Sequence, residues 1–396
     1  MIKTYTFIIG SGFSAPIGLP VGKKLNDMML EAENLPIGFS TSGDLIVSKD
    51  GIRPNIGFKT SYDDTFFFGV KLMKHYYKKF DTFDYEDFYD YFNKIHERAI
   101  KKKQDVDLQE LYELLPTNYY IQSENEDKRG LQLYHQTYQL NHIYQELVNY
   151  LLTLPDEIDV SLYEKFIAYL IKLVGEGNVV NIYSLNHDVL IERLIYSFRQ
   201  VNLFCDGFTD VNTPYYGLIN GEYSQLEYFA NQYDKPIRLH KLHGSTSYYA
   251  FYKEVETASF DACNMIKRPY GLNDFDLYYT DGNDTILGKK VRGMLSMGAD
   301  FLTGTTAKIR RYESPIYYKP QFENFEKDLT VTNSLIIIGY GFKDSRINEI
   351  VRQKLNASAQ CAVIDPFMSV NAKSTAEEIL PNLQIVTKKI EEMEWV

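Results

Sequence analysis

Five clusters of small and polar residues each stand at the end of an apolar run. They are Gly10-Ser11-Gly12-Phe13-Ser14, Ser184-Leu185-Asn186-His187-Asp188, Leu242-His243-Gly244, Gly339-Tyr340-Gly341 and Asp365-Pro366. Glycines at a strand end let backbone N–H groups approach an anionic ligand, because no side chain holds the ligand away. Gly10-x-Gly12 opens like the dinucleotide fingerprint, with Ala15 at the third glycine position, a replacement the fingerprint tolerates. Asn186 offers two donors and one acceptor. His243 can exchange a proton near neutral pH. Each cluster also has a plain structural reading. Asn186, Asp188 and Asp344 suit helix caps, His243 before Gly244 suits a turn, Gly339-x-Gly341 could simply close a strand, and Asp365-Pro366 is a common turn dipeptide. His187 and His240 read as structural.

These clusters can act together only if the runs before them lie side by side. Thr4–Ile9, Val179–Tyr183, Leu335–Ile338, Cys361–Ile364 and Leu383–Val386 read as buried strands, and Leu239–Leu242 as a short one. Helical periodicity follows at Val189–Ile195 and near Ser345–Leu355. Continuous apolar strands that alternate with helices predict a parallel sheet covered on both faces. In an open parallel sheet the carboxyl ends share one edge, where ligands bind, so four separate segments converge there. The fold class expected is α/β, a Rossmann-like parallel sheet with a large helical insertion. Residues 1–20 and 176–396 would form the α/β domain and residues 21–175 the insertion. Within the insertion Phe88, Phe92, Ile95 and Ala99 recur at helical spacing, as do Leu140, Ile143, Tyr144, Leu147, Val148 and Leu151. Leu162, Phe166, Leu170 and Val174 continue the pattern. Loops are expected at Phe39–Asp64 and Thr117–Gly130, Lys101-Lys102-Lys103 reads as a solvated helix end, and Thr209–Gly304 reads as loops and short strands.

Composition narrows the function classes. The chain has 396 residues, 44% of them hydrophobic and 24% charged, which fits a soluble globular protein with a sizeable core. No apolar run reaches the ~18 residues that span a bilayer, and the start leads straight into a strand, so neither a membrane segment nor a signal peptide is expected. Cys205, Cys263 and Cys361 are far apart. This spacing argues against a zinc ribbon or a disulfide framework and for a cytoplasmic protein without metal. A net charge of −11 argues against direct nucleic-acid binding, a large duplex footprint above all, although it leaves room for a local basic patch.

The motifs resemble those of sirtuins, and they occur in that family's order. Gly10 to Ser14 with Gly18-Leu19-Pro20 is similar to the Gly-Ala-Gly-x-Ser…Gly-Ile-Pro loop, Ser184 to Asp188 to the Thr-Gln-Asn-Ile-Asp segment, and Leu242-His243-Gly244 to the His-Gly of the catalytic base. Gly339 to Asp344 is closer to sirtuin-like domains of bacterial antiphage defence. The resemblance covers roughly residues 1–20 and 179–390. It implies NAD⁺ as substrate, with the nicotinamide–ribose bond cleaved. Asn186 would orient the ribose or the attacking water, Asp188 would hold the carboxamide, and His243 would act as base. Gly10, Ser11, Gly12, Phe13 and Ser14 would meet the pyrophosphate at a helix start, with Gly339 and Gly341 beside them and Asp365 on an adenosine ribose hydroxyl. The paired Cys-x-x-Cys motifs of a deacetylase do not occur, and Val21-Gly22-Lys23 replaces the usual Asp-Phe-Arg, so the implied activity is NAD⁺ hydrolysis without a metal rather than deacylation. The family also implies NAD⁺ depletion in antiviral defence and a HerA-type ATPase as partner, while homo-oligomer contacts are expected through the insertion because its apolar stripes exceed what one α/β domain needs to cover its sheet. The alternative is a non-hydrolytic NAD or ADP-ribose sensor.

Overall fold

In the β-branched and aromatic run Thr4–Ile9, Phe7, Ile8 and Ile9 are all fully buried, which requires cover on both faces of the strand. The computed structural model describes residues 2–49, 51–54, 60–101, 106–116, 126–257, 259–281, 289–304 and 311–395. Seven strands form one sheet: β1 (Thr4–Ile9), β2 (Val179–Ser184), β3 (Phe204–Cys205), β4 (Ile237–Lys241), β5 (Ser334–Ile338), β6 (Gln360–Ile364) and β7 (Leu383–Val386). Their order is β7-β6-β5-β1-β2-β4-β3, and every neighbouring pair is parallel. Phe7, Ile9, Val180, Ile182 and Leu239 meet helices Glu164–Gly175 and Leu190–Ser197 on one face. Ile8, Tyr183, Leu335, Ile337 and Val363 meet helices Tyr318–Val331 and Ser345–Lys354 on the other. The architecture is therefore the expected Rossmann-like α/β sheet.

Two compact units share the chain. The first holds Met1–Leu19, Thr153–Leu302 and Arg310–Val396, and the second Pro20–Leu152 with Thr303–Ile309. Residues 153–175 thus cluster with the parallel sheet and not with the insertion. Helix Glu164–Gly175 buries Phe166, Ile167, Leu170 and Leu173 against that sheet, and this contact explains its apolar stripe. In the second unit, helices Ser61–Phe80, Tyr85–Lys101 and Glu126–Leu152 bury Phe88, Phe92, Ile95, Leu140, Ile143, Tyr144 and Leu147 in the unit's own core. Those stripes are occupied internally, which removes the reason for expecting oligomer contacts there. The expected loop Phe39–Asp64 is interrupted by a hairpin, Ile37–Phe39 with Leu45–Val47, and ends at Thr60, whose hydroxyl caps the helix through the Asp63 N–H at 3.0 Å. Of the expected loop Thr117–Gly130, residues 126–130 are helical and the rest lie outside the described residues, as do Lys102 and Lys103.

Thr209–Gly304 differs most from expectation. It holds most of an eight-stranded antiparallel sheet in the order Gly207–Thr209, Tyr228–Gln232, Ser259–Lys267, Tyr248–Glu256, Lys289–Leu295, Leu272–Asp281, Tyr215–Ile219, Glu222–Gln225. Tyr215, Leu226, Phe251, Ile266, Leu272, Leu277 and Leu295 form its core. Register shifts at Phe251/Tyr252, Glu254/Glu256 and Asn273/Leu277 break the two-residue alternation. Tyrosines on the outer face blur what alternation remains. No described helix is long and apolar enough to cross a membrane.

Candidate active site

The chain runs outward from β1 to β2 on one side and from β5 to β6 on the other, so the strand order reverses between β1 and β5. The carboxyl edge at such a reversal is where open α/β sheets take their ligands. At this point the two glycine loops touch backbone to backbone. The Gly10 N–H donates to the Ile338 carbonyl at 2.9 Å and the Gly12 N–H to the Gly339 carbonyl at 3.0 Å. A Cβ on Gly10 would lie 2.5 Å from the Gly339 oxygen, and one on Gly12 2.7 Å from the Gly339 Cα. Gly339 itself sits at φ +60°, in the left-handed region.

This packing revises the phosphate cradle read from the sequence. The amides of Gly10 and Gly12 are committed to the β5 loop, and the Phe13 N–H donates to the Gly10 carbonyl at 3.0 Å. The stretch continues as two short 3₁₀ turns, Ser11–Phe13 and Ala15–Ile17, and not as a helix N-terminus. The glycines are required because two loops meet, and Ser11, Gly12 and Gly341 remain exposed along the edge. Phe13 turns inward against Tyr163 and Phe166, with ring centroids 4.9 and 5.2 Å away, and its carbonyl accepts the Tyr163 hydroxyl at 2.6 Å.

Asn186, Ser14 and Asp188 form a buried chain whose polarity is fixed. The Gly10 carbonyl can only accept, so the Asn186 amide nitrogen must face it, at 3.0 Å. The Asp188 carboxylate can only accept from the Ser14 hydroxyl at 2.8 Å, which leaves the Ser14 lone pair for the second Asn186 N–H at 3.1 Å. Both Asn186 donors are therefore used, and Oδ1 is the atom it can offer a ligand. The other Asp188 oxygen accepts the Leu190 N–H at 3.0 Å, so the capping reading of this residue holds as well.

Lys241 holds this turn from below. It is 1% exposed, its ammonium donates to the carbonyl of Asp188, and it lies 3.5 Å from the Glu192 carboxylate. Burial pushes the Glu192 carboxyl up from its ordinary value, and Lys241 pulls it back down. Lys241 has a signal in the sequence, since a lysine inside the apolar strand Leu239-His240-Lys241-Leu242 demands a buried carboxylate partner.

On the adjoining turn, His243 Nε2 lies 3.2 Å from Asp344 Oδ2, at ion-pair distance but off the line of a hydrogen bond, and both side chains are 7% exposed. Asp344 also caps its helix, since Oδ1 accepts the Arg346 and Ile347 N–H groups at 3.0 and 3.2 Å. The Tyr312 hydroxyl donates to Oδ2 at 3.3 Å. The expected cap is thus also the carboxylate beside the histidine. The Leu302 N–H donates to the His243 carbonyl at 2.7 Å, and the Thr246 N–H to the His187 carbonyl at 2.9 Å, which ties the β2 and β4 turns together. His187 packs on Phe301, its ring 6.2 Å from that of His243. His240, by contrast, is stacked between Tyr183 and Tyr233, and burial pushes it down to about 3, so it is neutral.

Asp365 follows β6, two strands from β1, and accepts the Phe367 N–H at 2.8 Å in a tight turn. Among the described residues no group of three or more His, Cys, Asp or Glu side chains could hold a metal ion, and the three cysteines are free thiols.

No family model and no curated protein matches the sequence. Solved structures of Sir2 enzymes align with the chain at low similarity. One, described as the structural basis for the mechanism and regulation of Sir2 enzymes, is 10% identical, with 99% of this chain and 88% of that one covered and a TM-score of 0.36. A Sir2 homolog–NAD complex is 11% identical over 98% of this chain and 86% of its own, with a TM-score of 0.34. Neither value is high enough to carry a conclusion, so the site stands on this chain's own geometry.

Proposed function

We propose that this protein is an NAD⁺ glycohydrolase that cleaves the nicotinamide–ribose bond with water as acceptor. The observation that supports it best is the buried His243–Asp344 pair on the same sheet edge as the Asn186–Ser14–Asp188 chain. Water attacks the ribose carbon as its bond to the pyridinium nitrogen breaks, the bonding electrons return to nicotinamide, and the proton lost by water goes to His243. Asp344 lies beside Nε2, which leaves Nδ1 as the nitrogen that acts as base. Asn186 Oδ1 accepts a hydrogen bond from the water or from a ribose hydroxyl. Asp188 positions Asn186 through Ser14, and the lone pairs left on its two oxygens are open to the carboxamide nitrogen of nicotinamide. Ser11, Gly12, Gly341 and Asp365 line the edge for the rest of the dinucleotide.

The test is free nicotinamide after incubation of the purified protein with NAD⁺. One observation favours a second reading, that of a non-hydrolytic NAD or ADP-ribose sensor: Asn186, Asp188 and His243 are only 8, 6 and 5% exposed. Tight NAD⁺ binding without nicotinamide release would establish the sensor. The cellular role we propose from the motif resemblance is NAD⁺ depletion in antiphage defence with a HerA-type ATPase as partner. NAD⁺ levels in infected cells with and without His243→Ala test that role.

A further inference from the structure

The outer face of the antiparallel sheet carries a pattern that the chemistry at the parallel sheet does not use. Directly opposed residues share a face, and the register pairs Leu218 with Tyr223, Tyr216 with Tyr278, and Tyr278 with Arg292. Tyr216 and Tyr278 stack with centroids 5.1 Å apart and planes 2° from parallel, and Tyr223 meets Tyr278 edge-on at 5.4 Å. The Lys290 ammonium sits 4.5 Å from the Tyr278 ring centre and 5.5 Å from that of Tyr223. The Arg292 guanidinium sits 5.8 Å from the Phe260 ring. Lys290 and Arg292 are exposed, and Tyr223 is 55% exposed. Among the described residues no carboxylate lies at ion-pair distance from either cation. The acidic groups bordering the face are Asp276, bonded to Asn273, and Glu254.

We infer that this face binds single-stranded nucleic acid, with bases stacked on Tyr223 and Tyr278 and phosphates held by Lys290 and Arg292. Unpaired bases stack on exposed rings while the backbone follows neighbouring cations. Rings interleaved with cations suit planar bases joined by phosphates better than they suit the apolar centre of a protein interface. Lys290 is exposed and lies over the half-buried Tyr278 ring, so an arriving phosphate draws the ammonium away and opens the Tyr278 face to a base. With two cations the electrostatic share is small, which is compatible with an acidic chain and makes stacking the main attraction. The face spans about 24 Å over six strands.

Fluorescence anisotropy with a labelled oligo-dT of about twelve nucleotides tests this, using the full chain at several salt concentrations. Binding is expected, with a shallow slope of log K against log salt of about −1.4 for two phosphates. Tyr278→Ala should weaken binding by roughly tenfold, and Lys290→Ala should reduce the slope by about 0.7. Tyr223→Ala, at the sheet edge, gives the same readout should Tyr278→Ala fail to fold. Absence of binding at micromolar protein overturns the inference. So does unchanged affinity in folded Tyr223→Ala, or equal displacement by a polyglutamate peptide, which would show a charge patch only.

Discussion

Replacing Gly339 by alanine tests the meeting of the two loops, because the structure supplies two separate penalties at that one atom. The residue is at φ +60°, and a Cβ there would lie 2.5 Å from the Gly12 Cα and 2.6 Å from the Gly12 carbonyl carbon and the Phe13 nitrogen. A left-handed conformation costs a residue with a Cβ about 1–2 kcal/mol. Overpacking costs a further ~1–3 kcal/mol, and here the neighbours are backbone atoms that cannot rotate aside. Together these give about 2–5 kcal/mol, or a melting temperature lower by roughly 5–15 °C for a unit of this size. Gly341→Ala is the control: two residues away, its Cβ would meet nothing within 4 Å. Melting followed by calorimetry, with NAD⁺ binding measured on both variants, reads the difference. Gly339→Ala should be destabilised and lose NAD⁺ binding while Gly341→Ala melts like the parent. Equal melting of the two variants would show that the loops do not meet as described.

Three more outcomes are expected. His243→Ala should lower nicotinamide release by ~10²–10⁴-fold, and Asn186→Ala should do likewise. Asn186→Ala should also lose about 1–3 kcal/mol in denaturant unfolding, because it removes two buried hydrogen bonds, to the Gly10 carbonyl and the Ser14 hydroxyl; near-parental turnover in either variant refutes the assigned roles. Lys241→Met should cost about 3 kcal/mol, since Glu192 stays partly buried and unpaired, and adding Glu192→Leu should recover part of that loss; a double variant no better than the single one refutes the pairing. His240 is held well below the 6.5 of an unfolded histidine, so its contribution to stability is complete above pH 6.5 and is lost as pH falls toward 3. By pH 5 this amounts to about 2 kcal/mol, and urea unfolding of His240→Gln across pH 7 to 5 should show a correspondingly shallower acid limb.

The sequence discloses the parallel sheet because its strands are buried on both faces, so Leu335-Ile336-Ile337-Ile338 and Thr4 to Ile9 stand out as apolar runs closed by glycine. The antiparallel sheet stays hidden for the opposite reason. Its outward-facing positions mix Tyr216, Tyr223, Tyr278, Lys290 and Arg292 with apolar residues such as Leu218 and Met294, and register shifts interrupt the period. The same distinction runs through the site. Asn186, Asp188 and His243 were legible because their residue types carry chemistry at strand ends, whereas what each one does depends on partners distant in the chain. Ser14 fixes Asn186 across 172 residues. Asp344 reaches His243 across the sheet, and Lys241 holds the turn that carries Asn186 and Asp188. The glycines show how such a partner changes the physical argument. Read alone, Gly10-x-Gly12 is open backbone that awaits a phosphate. Opposite Gly339 it is a close contact between two loops whose amides are already bonded. If NAD⁺ enters this edge, its pyrophosphate must therefore find donors on the exposed Ser11 and Gly341, since the Gly12 amide is already bonded, and the entry route has to open between side chains that are now almost fully buried.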